Sequence, residues 1–154
     1  LDLPSTQTNL LQLVLNAATC AVTKTPRLHH ISPILKSLHW LKINQRIQYK
    51  VISLTYKTLH SGRPAYLRSL LRLNHSHSTR SSSLITLTRP TNQSRLKITN
   101  RSFYHAVPGL WSSLPSDLRQ LSPISYPNSS PFVISSSVFL RKLKSYLFNL
   151  SFPP

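Results

Sequence analysis

The sequence contains no glutamate and no methionine, and its only carboxylate side chains are those of Asp2 and Asp117. Polymerases and nucleases hold catalytic metal ions with clustered carboxylates, and glycosidases need a facing pair. Two aspartates this far apart in the chain are too few for either chemistry. We therefore expect that the chain is not an enzyme and that it binds no cofactor. The absence of methionine further predicts a fragment or a processed piece of a longer protein.

Cysteine and metal-ligand patterns are equally scarce. The single cysteine, Cys20, cannot form an internal disulfide or a cysteine-based zinc site, which is typical of a reducing compartment. The pairs His29-His30 and His75-x-His77 have neither cysteine nor carboxylate nearby, and a zinc site normally needs four ligands. We therefore expect no bound metal and no disulfide partner.

Long hydrophobic runs are absent as well. The longest apolar stretch, 10–21, is interrupted by Gln12, Asn16 and Thr19, and it falls short of the ~20 residues that a membrane-spanning helix needs. We therefore do not expect a membrane as the main partner.

Positive charge is what the chain has in excess. Lysine and arginine together number 19, which gives a formal net charge of +17 with the 7 histidines neutral, and a pI near 11.3. Charge of this size repels itself unless an anionic partner neutralises it. The composition therefore predicts nucleic acid as the partner.

The pattern of apolar residues predicts a mainly α fold. Spacings of three and four dominate the first half, whereas short β-prone runs occur near 84–87 and 96–98. We expect a helical domain with one small β-hairpin and a Pro/Ser-rich loop before a C-terminal amphipathic helix. The predicted regions are 7–73 (helical), 74–83 (linker), 84–121 (hairpin and short helices), 122–137 (disordered loop) and 138–150 (basic helix).

The individual helices follow from the same periodicity and from residues that favour helix ends. Ser32 is the predicted cap of the second helix, Asn44 is that of the third, and Gly62 stands in the usual stop position after the third. Predicted helices span 7–23, expected to be largely buried, then 32–40, 44–60, 64–73, 101–106, 109–113 and 116–121. In the last helix an apolar stripe lies opposite basic residues: Phe139, Leu143, Tyr146, Leu147 and Leu150 against Arg141, Lys142 and Lys144.

The third predicted helix carries a purely cationic face. At ~100° per residue, its four basic residues fall within an arc of roughly 80°, beside an apolar arc expected to pack. A solvated face is the ordinary interpretation of such charge, but almost no acidic residue is available to offset the repulsion. We therefore favour a nucleic-acid contact. The cationic residues are Lys42, Arg46, Lys50 and Lys57, and the apolar residues are Ile43, Ile47, Val51 and Leu54.

More basic and aromatic residues extend this candidate site. The tyrosines among them could stack on bases, although tyrosine is equally common at a half-buried helix edge. The additional basic residues are Arg63, Arg68, Arg72 and Arg80, and the tyrosines are Tyr49, Tyr56 and Tyr66.

Several segments resemble blocks of one protein family. Residues 29–71 read HHISPILKSLHWLKINQRIQYKVISLTYKTLHSGRPAYLRSLL, and residues 96–119 read LKITNRSFYHAVPGLWSSLPSDLR. Together with LQLVLNAAT at 11–19, RSSS at 80–83 and FLRKLKSYLF at 139–148, they resemble the region that follows the polymerase core in reverse transcriptases of non-LTR, LINE-type retrotransposons. The blocks occur in the same order as in that family.

The resemblance implies the C-terminal, thumb-like part of a larger intracellular protein, found in cytoplasm and nucleus, with the polymerase domain upstream. Such a region would grip template RNA and its hybrid with cDNA, and no catalytic residue carries over to this chain. Lys42 departs from the family pattern, which has proline after HWL.

Two other classes of protein remain open from the sequence. One is an independent basic RNA-binding structural protein. The other is a peripheral membrane-binding protein, in which the apolar stripe of helix 138–150 inserts into an anionic membrane surface.

Overall fold

A computed structural model of the chain describes residues 4–26, 29–74, 84–90, 102–120 and 132–153. Helices dominate these residues, and the prediction of a mainly α fold is confirmed. The helices are α1 (Ser5–Thr23), α2 (Ile31–Ser37), α3 (Ile43–Ser61), α4 (Ala65–Leu70), α5 (Phe103–Ser112) and α6 (Ser136–Ser151), with a 3-10 helix at Ser116–Leu118.

Helix α3 ends where the sequence predicts. Gly62 has a φ of 69°, and its N–H donates to the carbonyl of Thr58 at 2.9 Å. Glycine adopts this left-handed conformation without the steric cost that a side chain brings, so it suits a helix end. The stop signal at Gly62 is confirmed, and the helix begins at Ile43, one residue before the predicted cap.

Two helices are shorter than predicted: a local turn ends the first, and pairing with a distant segment follows the second. Helix α2 ends at Ser37 and not at Trp40, since His39 turns the chain with a φ of 54°. Its cap position is His30, so Ser32 lies inside the helix. Helix α4 ends at Leu70, because the following residues are extended and Leu73 pairs with Leu87.

The helices predicted at 101–106 and 109–113 form one helix, α5. It continues through Pro108, whose missing N–H loses one helical hydrogen bond but whose side chain is buried. The helix predicted at 116–121 is only the 3-10 helix Ser116–Leu118.

The predicted β-hairpin is not confirmed. Its first strand, near 84–87, forms isolated antiparallel bridges in which Leu87 pairs with Leu73 and Leu84 pairs with Gln120. The proposed partner at 96–98, like residues 75–83 of the predicted linker, lies outside the described residues.

The prediction of a disordered loop over 122–137 is wrong at its C-terminal end, and residues 122–131 lie outside the described part. Phe132 is buried, with its ring centroid 4.3 Å from that of Tyr56, and α6 already begins at Ser136. Burial of one large aromatic side chain is enough to fix a segment that composition alone predicts to be irregular.

The chain divides into two compact units, Lys50–Leu143 and the pair of segments Asp2–Tyr49 and Lys144–Pro154. We call them the central unit and the terminal unit. Helices α3 and α6 each contribute residues to both units.

Aromatic rings form the centre of the central unit. The rings of Tyr56 and Phe139 stack with their centroids 3.9 Å apart, and Trp111 lies 6.2 Å from Phe139. All three side chains are at most 1% exposed. The surrounding buried apolar residues are Ile52, Leu59, Leu71, Ile85, Leu87, Val107, Leu114, Leu118 and Leu143.

Two hydrogen bonds fix these polar-tipped rings within the apolar core. The Trp111 indole N–H donates to the carbonyl of Ile85 at 2.9 Å, and the Tyr56 hydroxyl donates to the carbonyl of Ile134. Burial raises the pKa of the Tyr56 phenol, so it remains neutral and able to donate. Each bond satisfies a polar group that the core would otherwise leave unpaired.

The terminal unit has a smaller buried set. Its buried side chains are Leu15 and Thr19 from α1, Leu35 from α2, Leu41, and Leu147 and Ser151 from α6. Thr19 is satisfied within its own helix, since its hydroxyl donates to the carbonyl of Leu15. In the same unit, the ring of Phe148 stacks on His39 at 5.4 Å and contacts Phe152 at 5.1 Å.

The prediction that helix 7–23 is largely buried is wrong. Only Leu15 and Thr19 of α1 are buried, because the small terminal unit covers one side of the helix alone. The opposite half, an arc of about 180°, is entirely apolar and exposed between Leu10 and Val22. Its residues are Leu10, Leu11, Leu13, Val14, Ala17, Ala18, Ala21 and Val22. A continuous patch of this kind marks an interaction surface or an aggregation liability.

The hydrogen bond from Tyr56 predicts a measurable loss when the hydroxyl is removed. Substituting Tyr56→Phe keeps the ring stacking but leaves the Ile134 carbonyl unpaired, and we expect the free energy of unfolding to fall by about 1 kcal/mol. Tyr66→Phe is the matched control, because Tyr66 is 69% exposed. Urea unfolding of both variants checks this, and equal midpoints for the two would contradict the role of the bond.

Candidate nucleic-acid interface

The cationic residues of α3 lie on one exposed side of the helix. Arg46, Lys50 and Lys57 are exposed, and helical geometry places them within an arc of about 40° and along about 16 Å of helix. Lys42 is half-buried and directly precedes the helix. Arg46 and Lys42 belong to the terminal unit, and Lys50 and Lys57 to the central unit.

The buried side of α3 differs from the one that the sequence predicts. Ile43, Ile47 and Val51 are only half-buried and Leu54 is 39% exposed, so the prediction of an inward arc made by these four residues is wrong. The buried residues of α3 are instead Ile52, Ser53, Thr55, Tyr56, Thr58 and Leu59.

A tyrosine and two threonines explain this difference. Tyr56 occupies the centre of the aromatic core, and Thr55 tolerates burial because its hydroxyl donates to the Val51 carbonyl at 2.9 Å. Ile52, Tyr56 and Leu59 lie roughly 100° to 160° away from the middle of the cationic arc around the helix. The main core contacts of α3 are therefore on another side, although Ser53, which is buried, lies between Lys50 and Lys57 on the cationic side.

Aromatic rings contact the two cations nearest the start of α3. The Lys42 ammonium lies 5.1 Å from the ring centroid of Phe152, and the Arg46 guanidinium lies 6.0 Å from that of Trp40. Such contacts restrain a long side chain but leave its full charge in place.

The other predicted basic residues lie after α3 and have different surroundings. Arg63 and Arg72 are exposed, whereas Arg68 is half-buried and donates from its guanidinium to the carbonyl of Leu71 at 2.9 Å. Arg68 thus helps to close the end of α4. Arg80 lies outside the described residues.

The three tyrosines considered for base stacking separate clearly by exposure. Tyr56 is fully buried, so its proposed role in stacking on a base is wrong, since its ring already stacks on Phe139. Tyr49 is half-buried. Tyr66 on α4 is 69% exposed and is the best placed of the three to contact a base.

Arg119 is a basic residue that the sequence analysis does not single out. Its Nε is buried and finds no hydrogen-bond partner within the described part of the chain, although the residue as a whole is only half-buried. Arg89 is a second such residue. It is exposed, and its guanidinium donates to the Ser112 hydroxyl at 3.4 Å. Neither residue lies in a described α-helix, so the helical periodicity that groups the cations of α3 does not extend to them.

Neutralising groups are almost absent around these cations. Asp117 is the only side-chain carboxylate among the described residues, and it is exposed. Across the described ranges, no three histidine, cysteine or acidic side chains come together to hold a metal ion. Charge on the described surface therefore depends on solvent ions or on an anionic partner.

The membrane alternative loses most of the surface that it requires. Of the apolar stripe of α6, Phe139, Leu143 and Leu147 are at most 1% exposed, whereas Tyr146 is half-buried and Leu150 is 53% exposed. The three packed side chains cannot also insert into a lipid surface. Among the described helices, none is long and apolar enough to cross a membrane.

Comparison with protein-family models, with curated protein sequences and with solved structures found no match for this chain.

The uncompensated charge predicts that salt stabilises the fold. Raising sodium chloride from about 0.05 M to about 0.5 M shortens the range over which charges repel, so we expect the melting temperature to rise by several degrees. Differential scanning calorimetry measures this directly. Replacing Arg46, Lys50 and Lys57 with glutamine should reduce the rise, and a melting temperature that is independent of salt would contradict the expectation.

Proposed function

We propose that this chain binds nucleic acid through the exposed cationic side of α3, and that it acts as a binding element and not as an enzyme by itself. The observation that carries this proposal is the grouping of Arg46, Lys50 and Lys57 on one exposed side, with a single described carboxylate in the chain to oppose them. Phosphate groups of a nucleic-acid strand are the polyanion that such a surface fits.

The position of the cations on the helix supports an anionic partner. The first turn of α3 has no acidic residue, and Lys42 and Arg46 lie at its N-terminal end. This end carries the positive pole of the helix dipole, where basic side chains are unfavourable and anions are stabilised. A phosphate near this end would relieve the repulsion between the dipole and the two cations.

The position of Lys57 in α3 has a second explanation, which does not apply to the other cations. It lies one turn from the C-terminal end of α3, where a positive charge is favourable in any protein. Lys50 is in the middle of the helix, where neither pole acts on it strongly. Arg46 and Lys50 are therefore the more informative residues for the proposal.

The resemblance to LINE-type reverse transcriptases supports a more specific role. In that setting the chain would grip template RNA or an RNA/DNA hybrid next to an upstream polymerase domain, inside the cell and in both cytoplasm and nucleus. An independent RNA-binding structural protein would use the same surface. The protein expressed from the parent reading frame distinguishes these two roles, because only the first role requires that this protein also contain a polymerase domain.

The experiment that tests this function measures how affinity depends on salt. We expect the full chain to bind a single-stranded RNA with log affinity falling linearly against log salt. Replacing Arg46, Lys50 and Lys57 with glutamine should reduce the magnitude of the slope by about 2, since each phosphate contact contributes roughly 0.7. Binding should weaken for every RNA sequence tested, because phosphates carry no sequence information.

A second triple variant controls for total charge. Lys36, Lys142 and Lys144 are exposed and lie on α2 and α6, so replacing them with glutamine removes the same charge from other surfaces. We expect this variant to change the slope by well under half as much. Equal losses from the two variants would mean that binding is diffuse and that α3 has no special role.

A further inference from the structure

A cleft with polar and apolar walls lies beside the start of α3, wholly within the terminal unit. Its volume is about 310 Å³, and residues from α1, α2 and the first turn of α3 line it. This volume is at the lower end of the range for small-molecule sites, about 300 to 1,000 Å³. The cleft therefore has room for one small group.

Carboxamide side chains are the dominant polar groups of this cleft. A carboxamide offers a hydrogen-bond donor and an acceptor side by side, without charge. Among the residues that the structure describes, no carboxylate lines the cleft, and Lys42 is the one cation that does. The carboxamide residues are Asn9, Gln12, Asn16, Asn44 and Gln45.

A chain of hydrogen bonds fixes the orientation of two of these carboxamides. The backbone N–H of Ile43 donates to Gln12 Oε1 at 3.0 Å, and Gln12 Nε2 donates to Asn16 Oδ1 at 2.8 Å. Because a backbone N–H can only donate, it sets which way Gln12 faces, and Gln12 in turn sets Asn16. The Nδ2 group of Asn16 is thereby left to donate to another partner.

Gln45 supplies the complementary group. Its Oε1 is buried and has no hydrogen-bond partner in the part of the chain that the structure describes. A buried acceptor without a partner is unfavourable. Because this oxygen has almost no exposed surface, a ligand in the cleft reaches it only if the Gln45 side chain turns toward the cleft, and a hydrogen bond from the ligand would then remove this cost. The lining residues thus include a free donor at Asn16 and an unsatisfied acceptor at Gln45.

We propose that this cleft receives one unstacked nucleobase of the strand that binds along α3. A base edge presents a donor next to an acceptor, as adenine does with its N6 amino group and N7, and carboxamides of asparagine and glutamine pair with that pattern. Proteins read single-stranded RNA in this way, by hydrogen bonds to bases that have left the stack. The inference rests on the proposed function, because the strand brings the base to the cleft.

Lys42 joins the cleft to the cationic side of α3. It lines the cleft, and its ammonium is held 5.1 Å from the Phe152 ring centroid. The phosphate attached to the bound base would lie within reach of this ammonium, and the next phosphate would continue toward Arg46. The base thus sets the register of the strand.

The test compares a short oligoadenylate RNA with an abasic strand of the same length, using fluorescence anisotropy with the full chain. We expect the wild-type chain to bind oligoadenylate at least tenfold more tightly than the abasic strand. Gln45→Met removes the unsatisfied acceptor, so it should not lower the melting temperature. It should weaken oligoadenylate binding by about 5- to 10-fold and leave the affinity for the abasic strand unchanged.

Gln48→Met is the matched control, because Gln48 lies on the same helix and does not line the cleft. It should alter neither affinity. Equal wild-type affinity for the two strands, or equal effects of the two substitutions, would overturn the base site and leave the proposed function intact. Failure of the wild-type chain to bind either strand would instead overturn the proposed function, and the base site with it.

Discussion

A helix that carries several lysines and arginines usually neutralises them with acidic residues three or four positions away. This chain cannot do so, because it has 2 acidic residues against 19 basic ones. Its cations must therefore be spread over the surface, held against aromatic rings or neutralised from outside. Lys42 and Arg46 show the second solution, and the exposed Lys50 depends on the third.

This constraint determines how α3 is used. Its buried side contacts the aromatic core through Tyr56, while its charged side stays away from that core. Desolvating a lysine here would be costly, because the only described carboxylate is exposed and cannot follow it into the interior. The helix is therefore amphipathic in an unusual sense, because threonines and a tyrosine share the buried side with the aliphatic residues Ile52 and Leu59.

The sequence predicts the helices far better than it predicts which side of each helix is buried. Periodicity and the glycine stop locate α3 to within one residue, and they locate α1 almost as well. The inward side of α3 is missed because periodicity counts valine, isoleucine and leucine, whereas Thr55 is buried at little cost through a bond to its own helix. The exposure of α1 is missed for another reason, since burial depends on how much surface its neighbours can cover.

The cleft beside α3 could not be predicted from the sequence at all. Gln12 and Asn16 are one turn apart on α1, but their orientation is set by the N–H of Ile43, which is distant in the chain. No local pattern records such a contact. The cationic residues could be predicted, because helical geometry alone brings Arg46, Lys50 and Lys57 to one side.

Lysine footprinting tests the central claim most directly, since it reports each ammonium group in the intact chain. Acetylation rates are measured with and without a saturating single-stranded RNA, and each site is read by mass spectrometry. The account predicts strong protection of Lys50 and Lys57, while the exposed Lys36 and Lys142 remain reactive. Equal protection of all four lysines, or protection confined to Lys36 and Lys142, would contradict the assignment of the interface to α3.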